Sequence, residues 1–407
     1  VVNTTFLEQY NHGLDLLATG HDVDRAELRL RWLSMESRAA SVLPGHASHA
    51  EENNGEFVAE WDALAGIPPE RSEETLRRPD ALIEENLHFR CPLLLPADSA
   101  PRGLIILLNG LNERSWDRYL PWALRLLGLT GRAVLVFPLA FHLNRAPSAW
   151  ADPRRMTRLS AERRALHEGI TASSLSNAAL SARIQALPQR FLWSGVQSHE
   201  DVRDFIRALR SGAWPDLAAD LRVDFFGYSI GAFLALIMLM ADTDALLAHS
   251  RLLAFSGGAA LDGMALTSRY ILDSAAHEAL LRCFISDFEA TMRNDARVAG
   301  VLSGGHSAGA AFRSMLSAND GAAERLAMLA PIAQRVRAIA LTRDEVMPPD
   351  AVRATLCPGN AVAVDMRELD FPYEYSHVHP FPLLPAVEAE VERAFDAVMT
   401  LTAEHFA

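Results

Sequence analysis

Lysine is absent from this chain, so all 38 fixed cations are arginine. We read that as a bias of genome composition rather than a functional signal. Cysteine is scarce: Cys91, Cys283 and Cys357 are odd in number, far apart and without a metal-spaced pair, which leaves reduced, buried thiols. No apolar run is long enough to cross a bilayer, since the longest, 230–241, falls well short of the roughly 20 residues a span requires. The first 20 residues carry charges and lack the basic-then-apolar pattern of a secretory leader, so a soluble cytoplasmic protein is the expectation. Positive charge is outweighed: the formal net charge is −13, which argues against nucleic acid or an anionic membrane as the main partner. There is no P-loop, no G-x-G-x-x-G after a strand and no H-E-x-x-H, and nothing in the spacing requires a metal or an organic cofactor.

What is present is a chain of 407 residues, half of them hydrophobic, enough for one elaborate core. Residues 1–80 read as a helical extension, a cap or a dimerisation segment that makes a homo-oligomer an expectation. Asp24 and Glu27 have capping-box spacing and predict a helix over 24–38; a second is expected over 56–65, stopped by Gly66 and Pro68-Pro69. His46 and His49, in a polar stretch between them, have no third ligand nearby and read as solvated. From residue 87 the rhythm changes to alternating strands and helices, with strands expected at 87–95, 103–108, 133–137, 223–228, 252–255, 336–341 and 361–369. A helix leads back to the sheet over 198–210, and a long amphipathic helix closes the chain from 384. Helical insertions interrupt at about 142–195 and 257–333. The pattern predicts an α/β fold with a mainly parallel central sheet flanked by helices, occupying 81–407.

The stretch around which the rest is organised is Gly227-Tyr228-Ser229-Ile230-Gly231, between an apolar strand and an apolar helix. G-x-S-x-G alone arises by chance in roughly one chain in ten of this length. Its setting gives it meaning: a serine held at a strained strand-to-helix turn, flanked by small residues so that neighbouring backbone can pass. Four local matches in order, an early turn at Asn109-Gly110-Leu111, this serine, an acid after a late strand and a histidine after the last strand, resemble the α/β-hydrolase superfamily. The likeness covers roughly 87–141, 196–257 and 334–407, and leaves the insertions to encode substrate choice.

The resemblance implies a serine hydrolase acting on a small acyl substrate, most simply a carboxylic ester; peptidase, amidase and thioesterase chemistry use the same constellation. A non-catalytic ligand-binding protein on this fold is the rival. Ser229 would be the nucleophile. Asp344 would be the acid, with Glu345 its neighbouring rival. His377 would be the base, with His379 as substrate contact; side chains two apart in an extended loop point the same way, so both could reach the pocket. The oxyanion would be held by the backbone N–H groups of Leu111 and Ile230, Asn109 standing where the family usually has His. Asn112, Tyr228, His142 and Arg145 complete the expected substrate contacts, Arg145 by pairing with a carboxylate or, more simply, in an internal salt bridge. Trp150 reads equally as pocket wall or lid packing, and His306, amid glycines, as a loop residue.

Overall fold

A computed structural model describes residues 4–46, 78–358 and 364–407. The expected helix over 56–65 and His49 lie outside them. The central apolar runs have no polar face to present to water, and they form the middle of a sheet covered on both sides. These are β4 (Leu104–Leu108), β5 (Ala133–Phe137), β6 (Val223–Tyr228) and β7 (Leu252–Phe255), buried at every position. With β1 (Val23–Asp24), β2 (Leu28–Glu36), β3 (His88–Pro96), β8 (Val336–Leu341) and β9 (Asp365–Leu369) they make nine strands in the order β1-β2-β3-β5-β4-β6-β7-β8-β9. From β5 through β9 all pairs are parallel; β1, β2 and β3 join antiparallel. This is the α/β-hydrolase architecture that the sequence resembles.

Side chains alternate across the sheet. Leu104, Ile106 and Leu108 enter a core under α5 (Arg190–Arg210) and α6 (Ile230–Met240). Ile105 and Leu107 enter a second core under α1 (Phe6–Thr19), α2 (Tyr119–Thr130) and α9 (Glu388–Phe406). The first insertion contributes α3 (Pro153–Leu166) and α4 (Ala178–Ala186); the second contributes α7 (Ser274–Leu281) and α8 (Ala322–Leu329). Buried Arg163 on α3 grips Asp273 with two bonds of 2.7 Å, so the two insertions are tied to each other.

One element differs in kind from its expectation. Residues 28–36, predicted helical, form β2, paired along its length with β3. Leu28, Arg29, Leu30 and Arg31 alternate apolar and charged, and that period of two, with Leu28 and Leu30 buried, overrides the cap-like Asp24 and Glu27. The N-terminal segment therefore adds strands to the sheet as well as a helix.

Chain direction sets the functional edge. From β4 the chain crosses to β5 on one side; from β6 it continues to β7 on the other. The loops leaving β4 and β6 diverge, opening a crevice at the carboxyl ends of two adjacent strands, where such sheets bind ligands.

Candidate active site

Ser229 stands alone between β6 and α6 with φ 55° and ψ −118°, a conformation strained for a residue with a side chain. The backbone around it admits no alternative. Its amide donates to the Phe255 carbonyl at 3.1 Å. A Cβ on Gly227 would lie 2.5 Å from Ala232 Cα, and one on Gly231 would lie 2.4 Å from the Leu108 carbonyl oxygen. Both contacts are with backbone, so both glycines are steric requirements of the turn. Gly257, after β7, is a third: its Cβ would meet the Ser229 carbonyl oxygen at 2.7 Å.

The His377 imidazole faces this serine, with Nε2 2.8 Å from Ser229 Oγ. Its Nδ1 lies 2.8 and 3.0 Å from the two Asp344 carboxylate oxygens. Asp344 is fixed in turn by the Val346 and Met347 amides, each donating to Oδ1 at 2.9 Å. A carboxylate only accepts, so Nδ1 carries the proton and Nε2 turns its lone pair to the serine hydroxyl. All three side chains are buried, whereas that of Glu345 is exposed.

His379 does not share the orientation of His377. Residues 376–379 close into a tight turn through paired Ser376 and His379 backbone bonds, so extended-chain alternation does not apply. His379 is exposed, with its ring against Tyr270 at 5.5 Å.

Behind the imidazole lies a second tier. The Tyr228 ring stacks on His377 at 5.6 Å and 16°, and its hydroxyl donates to the His377 carbonyl. Arg118 donates to that hydroxyl at 3.3 Å and pairs with Glu113 at 3.0 Å. Burial pushes the Tyr228 phenol up, keeping it a proton donor, and burial likewise raises Glu113 against the pull of Arg118. Tyr228 was expected to touch substrate; it lies beneath the histidine instead.

The turn after β4 packs against the start of α6, where a Cβ on Gly231 would also meet the Asn109 carbonyl oxygen at 2.9 Å. Tyr119 Oη accepts the Gly110 N–H at 2.9 Å. The N–H groups of Leu111 and Ile230 have no acceptor among the described residues. Beside them opens an apolar cavity between α5, α6 and the second insertion, walled by Leu111, Ile230, Phe191, Phe233, Leu234 and Phe312. Its volume is about 60 Å³, on a measure where one water needs about 10–15 Å³, which makes it a narrow slot. His142 and His199 form part of its wall.

The remaining expected contacts lie elsewhere. Arg145 is fully buried, donates to Asp201 at 2.7 Å and to Asn86, and rests on the Phe89 ring; it is an internal salt bridge and no substrate ligand. Asn112 Nδ2 donates to the carbonyls of Ser176 at 2.8 Å and Tyr270 at 2.7 Å, one on each insertion, which spends its amide on holding them. Trp150 packs on Phe141 under the Arg183 guanidinium. The support that Arg118 gives Tyr228 had no local signature, because the two are 110 positions apart.

His199, Glu200 and His306 gather possible metal-ligand atoms within 4.8 Å of one another. The proton positions oppose a metal. His306 Nδ1 accepts the Ala308 N–H at 3.1 Å, so the neutral ring carries its proton on Nε2, which donates to Glu200 at 3.1 Å. Among the described residues no helix is long and apolar enough to cross a membrane.

The model of a Family of unknown function (DUF6051) matches residues 4–407. No curated protein matches the chain. Among solved structures it is similar to an esterase of Pyrobaculum calidifontis at 10% identity and TM-score 0.45, over 99% of this chain and 95% of that one. A cold-adapted esterase from an Arctic intertidal metagenomic library aligns at 11% identity and TM-score 0.40, over 95% and 97% of the two chains. A thermophilic carboxylesterase cloned from a metagenomic library aligns at 11% identity and TM-score 0.41, over 77% and 85%.

Proposed function

The chain belongs to the Family of unknown function (DUF6051), and we propose that it is a serine hydrolase that cleaves a carboxylic ester through an acyl-enzyme. The observation that carries this reading is the continuous chain of contacts from Ser229 Oγ through His377 to Asp344. A serine hydroxyl is a weak nucleophile and needs a base placed to take its proton; His377 Nε2 is within 2.8 Å. Asp344 holds the tautomer and stabilises the imidazolium that forms.

In the proposed reaction Ser229 Oγ bonds to the acyl carbon while its proton passes to His377 Nε2. The carbonyl oxygen becomes an oxyanion facing the Leu111 and Ile230 amides, at the positive end of α6. Collapse breaks the ester C–O bond and His377 returns the proton to the departing alkoxide, releasing an alcohol. Water then repeats the sequence against the acyl-serine, with His377 as base, and releases the acid.

A panel of nitrophenyl esters of increasing chain length, run beside aminoacyl anilides and acyl thioesters, tests this. The ester hydrolase reading predicts ester turnover that falls about a thousandfold or more in Ser229→Ala. Turnover that survives the substitution would overturn it, and a preference for anilides or thioesters would reassign the substrate class. Binding without turnover of any of them would make the chain a ligand receptor.

A further inference from the structure

The peptide that carries the Leu111 N–H is bracketed by two asparagine side chains. On the sheet side is Asn109, fully buried. Its Oδ1 accepts the Leu139 amide at 2.9 Å, which leaves Nδ2 to donate to the Gly110 carbonyl at 2.8 Å. That carbonyl and the Leu111 N–H belong to one planar trans peptide and point in opposite directions. Holding the carbonyl therefore sets the direction of the N–H.

On the other side is Asn112, with φ 63°, a left-handed conformation that asparagine adopts more readily than most residues. Its Nδ2 donates to one carbonyl on each insertion, Ser176 at 2.8 Å and Tyr270 at 2.7 Å, while Oδ1 accepts from Arg114 Nη2 at 3.3 Å. Two acceptors on one side and a guanidinium on the other leave the amide a single orientation. The two residues that follow are tied in the same manner. The Glu113 carbonyl accepts the Leu143 amide at 2.9 Å, and Arg114 Nη1 donates to the Trp150 carbonyl. Leu143, Trp150 and Ser176 lie in the first insertion and Tyr270 in the second, so the turn after β4 is fastened to both.

The insertions do not need Asn112 to hold each other. Besides the Arg163–Asp273 pair, Asn177 Nδ2 donates to the Ser268 carbonyl at 2.8 Å, and the Asp273 amide donates to Ser181 Oγ at 3.0 Å. What Asn112 adds is a link from that joined pair to the residue beside Leu111. We infer that Asn112 is a positioning residue: by fastening the turn to both insertions it keeps the Leu111 N–H aimed, with Asn109 as the fixed point behind it. This rests on the ester hydrolase reading for the role of that N–H. A donor stabilises developing charge most when it is already in place, because nothing then has to reorganise as the charge forms. Asn112 makes the insertions part of that preorganisation.

Two variants test this, and each serves if the other fails to fold. Asn112→Gly permits the left-handed backbone and removes the fastening; Asn112→Asp keeps the shape and turns the donor into an acceptor facing two carbonyls. Both should lower kcat on nitrophenyl butyrate by about ten- to a hundredfold, with KM within about threefold. An alkyl trifluoromethyl ketone supplies a second readout. Ser229 Oγ adds to its carbonyl carbon, the proton passes to His377 Nε2 and the carbonyl oxygen becomes an oxyanion, with nothing released. Affinity for the ketone should fall in each variant by the same factor as kcat/KM, and the fluorine resonance of the adduct should titrate at higher pH than in the wild type. A staple between the insertions alone would move neither. Unchanged kcat and ketone affinity in the folded variants would overturn the inference and leave the hydrolase reading intact, as would a rise in KM alone. A wild type that neither turns over any ester nor forms the adduct would sink the hydrolase reading and the inference with it.

Discussion

At the scale of single residues the site depends on groups that cannot be exchanged for near relatives. His377→Ala should reduce ester turnover about a thousandfold or more, whereas His379→Ala, altering an exposed ring against Tyr270, should leave kcat within about threefold. Asp344→Asn keeps the shape but offers an N–H where an acceptor is needed, and kcat should again fall by about a thousandfold or more. Steady-state kinetics on one nitrophenyl ester reads all three. Arg145→Ala, by contrast, should act on stability: removing it leaves Asp201 charged and buried, at a cost of about 3–5 kcal/mol in the urea unfolding free energy. The serine and its glycines were legible in the sequence, because their constraint is local to five residues. His377 was favoured as the base, but the expectation that His379 points the same way fails, because the 376–379 turn is a folded feature that alternation rules do not foresee. For Arg145 the sequence offered a carboxylate ligand or, more simply, an internal salt bridge, but could not name the partner, because Asp201 lies 56 positions away.

Elements carry the next set of constraints. Tyr228 closes β6 and supports His377 from beneath, so Tyr228→Phe should lower kcat by about tenfold with little change in KM, since it disturbs position rather than binding. A KM effect without a kcat effect would return Tyr228 to the role of substrate contact. On α5, Gly195 lines the slot beside Leu111 and Ile230, and a Cβ there would have nothing within 4 Å. Gly195→Leu should fill the slot and shift ester preference toward shorter acyl chains, while the thermal midpoint stays level or rises. Unchanged chain-length preference would place the acyl group elsewhere. Most strands could be found in the sequence as continuous apolar runs, but β2 could not: its helix-like opening competes with a two-residue alternation spread over only a few positions. Pairing with β3, a long-range contact, decides between them.

On the scale of the whole molecule, burial of neutral histidine makes folding sensitive to acid. His142 and His405 both titrate near 4 in the folded chain, below the ordinary value of 6.5, chiefly through burial. Depressed values mean that the unfolded chain takes up protons first. Their stabilising contribution is complete above about pH 6.5 and is lost as pH falls toward 4, worth up to about 3 kcal/mol for His142. Glu113 and Asp201, raised by burial, act in the opposite sense at the acid end. The urea midpoint should therefore fall between pH 6.5 and 4.5, and His142→Phe should flatten that slope; an unchanged slope would contradict a buried, neutral His142 ring. The overall architecture was legible because alternation of strand and helix survives two long insertions. Their mutual attachment through Arg163 and Asp273, 110 positions apart, was not.

Covalent labelling is the most direct measurement of the central claim, that an activated hydroxyl sits at position 229. Exposure to a fluorophosphonate followed by peptide mapping should place one phosphonyl group on Ser229 in the wild type and none in Ser229→Ala, with labelling slowed about a hundredfold or more in His377→Ala. Labelling at another residue, or at an equal rate without His377, would contradict it.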